Sequence, residues 1–194
     1  MSALNRESLM TLERYAKERP QFRARVMEHK KNRAVPVGEH VMLIFEDELT
    51  IRYQIQEMLR AERIFEEEGI QEELEAYAPL VPDGSNWKAT MMIQYPDIEE
   101  RRRMLAQLMG VEDRVWVQVA GHNRVYAIAD EDLERETAEK TSSVHFLRFE
   151  LDSAMVRTLK QGAGLGMGID HPAYNVSTDI APAVRESLVA DLRG

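Results

Sequence analysis

Cysteine is absent from the 194 residues, which removes disulfides, iron–sulfur ligation, Cys-type zinc sites and thiol nucleophiles. No window reaches the ~20 apolar residues that a membrane helix needs. Residues 1–30 hold no apolar run of the kind that opens a secretory signal, because Leu9, Met10 and Leu12 give way at once to Glu13, Arg14 and Lys17. The expectation is a cytoplasmic protein. A phosphate-cradling glycine loop, His-Glu-x-x-His and Gly-x-Ser-x-Gly are also missing, which disfavours nucleotide loops, zincins and α/β-hydrolases. What remains is metal chemistry by His and carboxylate, acid–base chemistry, or binding without chemistry. Composition does not decide whether the protein is an enzyme.

The charge that is present is lopsided. A formal net charge of −9 argues against nucleic acid as the main partner. Yet Arg14, Lys17, Arg19, Arg23, Arg25, Lys30, Lys31 and Arg33 face only Glu18 and Glu28 across the same stretch. This basic segment is either a solvated helix face docked on the acidic remainder, or a partner site centred on Arg23, Arg25, Lys30 and Lys31.

Periodicity organises the rest of the chain. Leu9, Leu12 and Tyr15 fall near helical spacing, and Pro20 restarts a second run with Phe22 and Val26, which predicts a kinked or broken helix pair closed by Pro36 and Gly38. His40–Glu46 reads as a strand buried on both faces. Asp47 caps a long helix over Glu48–Glu68 with Ile51, Ile55, Met58, Leu59 and Phe65 on one stripe; Gly69 ends it, and Gln71–Tyr77 forms a shorter helix. From Trp87, alternation of Ala89, Met91, Ile93 and Tyr95 predicts a strand, followed by a helix from Asp97 to Met109. Gly121-His122-Asn123 joins Arg114–Ala120 and Arg124–Ala129 as a hairpin. Asp130–Lys140 is a charged helix or loop, Val144–Leu151 a strand, Asp152 the cap of a helix ending at Gly162, Gly164–Asp170 a last strand, and Pro182–Leu192 a closing helix. The expected fold is α+β, an antiparallel or mixed sheet packed by long amino-terminal and central helices. With no repeat or low-complexity tract, residues 1–194 read as a single domain, with 175–194 a variable tail.

Two patterns point to sites. Gly162, Gly164, Gly166 and Gly168 alternate with Ala163, Leu165, Met167 and Ile169, so one strand face is bare backbone that a helix or aromatic ring should cover. His145 shares a strand face with Leu147, Phe149 and Leu151, which puts an imidazole against the core, where it must be hydrogen-bonded, paired with a carboxylate, or metal-bound. Glu62 interrupts the long helix's apolar stripe, and Glu57 lies on a second face. Either they form ion pairs, Glu57 with Arg60 and Glu62 with Arg148 or another cation, or they join inward histidines in a His/carboxylate pocket between the long helix and the sheet. The candidate ligands are His40, Glu57, Glu62, His122, His145 and His171, a nitrogen and oxygen set suited to zinc, iron or manganese. Thr141, Ser142 and Ser143 lie near His145, but no acid partner is identifiable for an acyl-transfer pair.

The stretches Val35–Asp47, Gln54–Ile64, Asp113–Arg135, Lys140–Leu151 and Gly168–Tyr174 together resemble an uncharacterised bacterial family, domain of unknown function 3501. The resemblance spans about residues 6–174, and its motifs include His40, Glu57, Arg60, Glu62, His122, His145 and His171. It implies no reaction. It does imply a genomic setting beside rubrerythrin-like and iron–sulfur oxidoreductase proteins, hence a redox or peroxide-stress pathway. Two readings follow from it: a metal or small-ligand protein in such a pathway, or a non-catalytic accessory docking an iron–sulfur or rubrerythrin-like partner.

Overall fold

The computed structural model describes residues 4–131 and 139–194. Most of the Asp130–Lys140 segment therefore lies outside the described residues. The elements run α1 (Leu12–Lys30), β1 (Ala34–Val37), β2 (Val41–Phe45), α2 (Glu48–Ala61), α3 (Glu67–Tyr77), β3 (Asn86–Ile93), α4 (Ile98–Gln107), β4 (Val115–Val119), β5 (Val125–Tyr126), β6 (Ile128–Ala129), β7 (Val144–Glu150), α5 (Ser153–Lys160), β8 (Leu165–His171), β9 (Tyr174–Asp179) and α6 (Pro182–Val189). The strands form two antiparallel sheets, β1-β2-β3-β7-β6 and β5-β4-β8-β9, so the fold is α+β. No helix among the described residues is long and apolar enough to cross a membrane.

One continuous core holds the two sheets together. Alternate residues of β2, β3 and β7 (Leu43, Phe45, Trp87, Ala89, Met91, Leu147, Phe149) join Val115, Val117, Met167 and Ile169 of the second sheet, and α4, α5 and α6 close it with Leu105, Leu159 and Leu188. The period-two alternation read from Trp87 and from Val144 is realised directly, because each strand buries one face. In β2 only Val41, Leu43 and Phe45 are buried; Met42 and Ile44 are half-buried, so the strand is not buried on both faces. The hairpin pairs Trp116 with Tyr126 and Val117 with Val125. After Ala127 the chain leaves that sheet and pairs as β6 with β7, an exchange of sheets that the turn signal does not encode.

Helices α1 to α3 form a separate half with two small clusters, one around Ile51, Ile55 and Leu59 and one around Tyr15, Phe22, Val26 and Tyr53. Two expectations fail here. Helix α1 passes through Pro20 without a break, since an exposed proline forfeits one backbone hydrogen bond but leaves the buried face of Tyr15, Phe22 and Val26 intact. Helix α2 stops at Ala61 and not at Gly69: Arg63 adopts a left-handed conformation (φ 54°), and the Ile64 N–H reaches the Leu59 carbonyl at 2.9 Å while that of Arg63 reaches Arg60. That is a Schellman closure built without glycine, so no residue type announces it. Phe65 consequently leaves the stripe and is 72% exposed, and Gly69 lies inside α3.

Strands β1 and β9, unread in the sequence, flank their sheets as edges. Residues 175–194 contribute the rest of β9 and α6, which buries Leu188, and Leu192 follows it into the core; the Trp87 indole donates to the Leu188 carbonyl at 2.9 Å. Arg33, 1% exposed, ties the two halves together. Its guanidinium donates to the Phe45 carbonyl (2.8 Å), the Glu46 carbonyl (3.2 Å) and Asp191 Oδ2 (2.5 Å). Asp47 lies 3.5 Å from it and takes His29 Nε2 at 2.5 Å. Burial works to raise the Asp47 carboxyl, but Arg33, the Thr50 N–H and His29 together hold it below its ordinary range. For Asp191 burial prevails over Arg33 and its pKa is raised.

Candidate functional site

The six residues singled out as possible ligands do not meet in one cluster: among the described residues, the group of donors close enough to hold one cation contains only His145 of the six. His40 stacks on Tyr95 with ring centroids 4.0 Å apart, and its Nδ1 lies 3.0 Å from the Gln94 carbonyl. His122 Nε2 meets Thr158 Oγ1 at 2.9 Å. His171 has both nitrogens in use: Nδ1 accepts from the Ala173 N–H (3.1 Å) and Nε2 donates to the Met109 carbonyl (2.9 Å). Glu57 takes the Tyr15 hydroxyl at 2.6 Å and Arg19 at 2.7 Å, so its main cation comes from α1 and not from Arg60; these bonds hold its carboxyl below the ordinary range. Burial together with the bond to Glu57 pushes the Tyr15 hydroxyl upward. Glu62 caps the end of α2, exposed, while Arg148 pairs with Glu131 and Glu150 instead.

His145 alone stands in a cluster of ligating side chains, and its companions come from elsewhere. Glu112, in the single-turn helix Val111–Arg114, and Asp130, the residue after β6, bring one oxygen each, the three donor atoms lying within 4.8 Å of one another. Strand β7 aims the imidazole inward beside Leu147 and Phe149, with no exposure at all. Asp130 reaches it through a local device. Its backbone turns left-handed (φ 48°), a conformation Asp tolerates better than most residues. Asp130 then brackets β7: its N–H donates to the Phe146 carbonyl (2.9 Å), Oδ1 accepts the Phe146 N–H (2.9 Å) and Oδ2 takes His145 Nδ1 (2.6 Å).

Around Nε2 the groups among the described residues are oxygens: the Ser142 carbonyl at 2.9 Å, Thr141 Oγ1 at 3.0 Å and Glu112 Oε2 at 3.9 Å. Thr141 is 1% exposed, and Oγ1 lies 3.5 Å from Glu112 Oε2. A carbonyl only accepts, so Nε2 presents its N–H to Ser142, and with Nδ1 on a carboxylate the ring is placed to donate from both nitrogens. With that proton in place Nε2 cannot act as a base toward Thr141, whose hydroxyl faces Glu112, so the layout is not an acid–imidazole–hydroxyl relay. With the proton displaced it offers a nitrogen and oxygen ligand set at Nε2, Asp130 orienting the ring from behind. The sequence pointed to His145 and placed Thr141 near it, but gave no signal for Glu112 or Asp130, which lie on a short turn and a left-handed residue where no periodicity acts.

Of the alternating glycines only Gly168 is closely covered, by an aromatic ring; Gly166 has its nearest neighbour at 3.7 Å, and Gly162 and Gly164 precede β8 with nothing within 4 Å of a Cβ. A Cβ on Gly168 would lie 2.5 Å from the Trp116 indole and 2.6 Å from the Val176 carbonyl. The Arg124 guanidinium lies over that indole, 4.0 Å from its centroid.

No curated protein matches the chain. Among solved structures it is similar to the crystal structure of a novel protein of unknown function from Burkholderia pseudomallei K96243, with 61% identity, 98% of this chain and 99% of that chain covered, and a TM-score of 0.94. The model of the family described as "Protein of unknown function (DUF3501)" matches residues 3–192, and the chain belongs to that family.

Proposed function

We propose that this protein binds a divalent metal ion at His145 Nε2, with Glu112, Thr141 and the Ser142 carbonyl as oxygen ligands and Asp130 as the carboxylate that orients the imidazole. The observation that supports this is the convergence of three oxygens on Nε2 at 2.9, 3.0 and 3.9 Å while the other ring nitrogen is engaged by a carboxylate. Ligands ~2.1 Å from a metal stand ~3.0 Å apart along the edge of an octahedron and ~3.4 Å apart in a tetrahedron, so small side-chain adjustments close the set on a cation that replaces the Nε2 proton. The oxygen-rich donor set favours manganese or iron(II) over zinc. With iron or manganese the centre would support the redox setting implied by the family resemblance; with zinc it would not.

The test is elemental analysis of untagged protein together with calorimetric titration of metal-free protein with Mn2+, Fe2+ and Zn2+. Stoichiometric loading is expected, weakened about 10- to 100-fold by Asp130→Asn and lost in His145→Gln and Glu112→Gln variants whose circular dichroism is unchanged. Substoichiometric metal, or loading indifferent to these substitutions, removes the proposal.

The accessory reading draws on a different observation. Arg23 and Arg25 are exposed on α1 and make no ion pair among the described residues, Arg25 lying 5.4 Å over the Phe22 ring, whereas Lys31 pairs with Glu28 and Lys30 lies 5.6 Å over the Tyr53 ring. A rubrerythrin-like or iron–sulfur partner docking there would be lost on charge reversal of Arg23 and Arg25 in a pull-down. Equal recovery with the reversed protein excludes that face.

A further inference from the structure

A cavity of about 270 Å³ lies between the helical half and the sheet, lined by Lys30, Ile51, Gln54, Tyr77 and Leu80 on one side and by Ile44, Glu46, Thr90, Met92, Val144 and Phe146 on the other. It is on the opposite face of β7 from His145, because Val144 and Phe146 alternate with that residue along the strand. The walls are mixed, apolar side chains interleaved with Lys30, Gln54, Tyr77 and Thr90, and they hold one carboxylate. Glu46 has each oxygen on a hydroxyl: Thr50 Oγ1 donates to Oε2 at 2.5 Å and Thr90 Oγ1 to Oε1 at 2.8 Å. Thr50 is 1% exposed and is held by the α2 capping box, so its hydroxyl direction is fixed by the fold. No Lys, Arg or His nitrogen lies within 4 Å of that carboxylate among the described residues. Lys30, which also lines the cavity, has its ammonium over the Tyr53 ring and not on Glu46.

A carboxylate offers about four lone-pair positions, and the two threonines use two of them. Hydroxyl donors orient a carboxylate but leave its charge unneutralised, and beside apolar side chains that charge is matched by a cation with a hydrophobic body. The volume is just under the ~300 Å³ at which drug-sized pockets begin, which limits the ligand to a small molecule. We infer that this cavity is a binding site for a small organic ammonium ion, its alkyl or aryl portion against Ile44, Ile51, Met92 and Phe146 and its charged nitrogen on Glu46.

The experiment follows the Met92 methyl resonance in 13C-methionine-labelled full-length protein, with calorimetry alongside, on addition of n-hexylammonium, hexanol, hexanoate or potassium chloride. Saturable binding of hexylammonium that shifts Met92 is expected, with the neutral and anionic analogues and potassium at least about tenfold weaker. Glu46→Gln, which keeps the shape and an acceptor for the threonines, should weaken hexylammonium about 10- to 100-fold. Val144→Phe, which fills the cavity from the sheet side, should abolish the Met92 response and remains informative if the Glu46 variant misfolds. Absence of a Met92 shift, hexanol or hexanoate binding as tightly, or undiminished binding to Glu46→Gln each overturns the inference. None of these readouts involves a metal, so the outcome is independent of the His145 centre.

Discussion

The two halves of this molecule are stabilised by different physics. Between the sheets a single hydrophobic core runs unbroken through nine strand and helix elements' worth of side chains, whereas α1 to α3 bury two small clusters and rely on polar links between them: Gln56 takes the Met10 N–H at 2.6 Å, and Glu57 joins Tyr15 and Arg19. A large apolar core gains stability from area removed from water; a small one depends on pairing each buried polar group, because an unsatisfied one costs about 1–3 kcal/mol. The sheets should therefore be the last part to open, and the helices the first.

The strongest way to break this comparison is to remove the bolt between the halves. Arg33→Met leaves Asp47 and Asp191 buried without their shared cation and should cost about 3–5 kcal/mol. In urea melts followed by circular dichroism and by Trp87 fluorescence, the two signals should separate, the helices melting ahead of the sheets; coincident transitions would show that the core alone couples them. Gly168→Ala touches only the sheets. Its new methyl meets both the Trp116 ring and the Val176 carbonyl, backbone that cannot swing aside, so about 1–3 kcal/mol should be lost with hydrogen exchange accelerated in β4, β8 and β9 and not in α1.

Acid should act on the helical half and its junction. Asp47 and Glu57 both have pKa values below their ordinary 3.8 and 4.5, so their ionised forms stabilise the fold at neutral pH, and that contribution is lost as pH falls from about those values through the depressed ones. Asp191 works in the opposite sense: its raised pKa makes the folded state hold a proton longer, favouring stability on the acid side of its titration and weakening it as pH rises. Glu57→Gln should flatten the acid limb of a stability-against-pH curve; an unchanged limb would move the cause to Asp47. The smallest effect is a gain. Arg63→Gly relieves the left-handed strain at the end of α2 and should add about 0.5–1 kcal/mol, visible as slower exchange at Ile64 and the last turn of that helix.

Legibility in the sequence follows the same division. Strands whose one face is buried announce themselves through alternation, so β3 and β7 were readable, as was the β4–β5 pairing around Gly121. Edge strand β9 alternates too, half-buried Tyr174, Val176 and Thr178 with exposed Asn175, Ser177 and Asp179, but it buries no residue fully and is largely polar, so the period is weak; β1 is four residues containing a proline. The end of α2 rests on Arg63 taking glycine's role, which only tertiary packing of Ile64 makes worthwhile. His145 was legible as an inward imidazole because it sits within a period. Glu112 and Asp130 were not, since what brings them to it is the turn after α4 and the passage of the chain from one sheet to the other.

That passage has a mechanical meaning. Between Tyr126 in one sheet and Ile128 in the other there is a single residue, Ala127, too short to absorb slack. The hairpin therefore works as a ruler: a slip of its strands by one position would carry Ile128 and Ala129 along and swing the Asp130 carboxylate to the far side of β7, away from the imidazole it now grips. Registration at a surface turn and the poise of a buried histidine are one and the same adjustment in this chain.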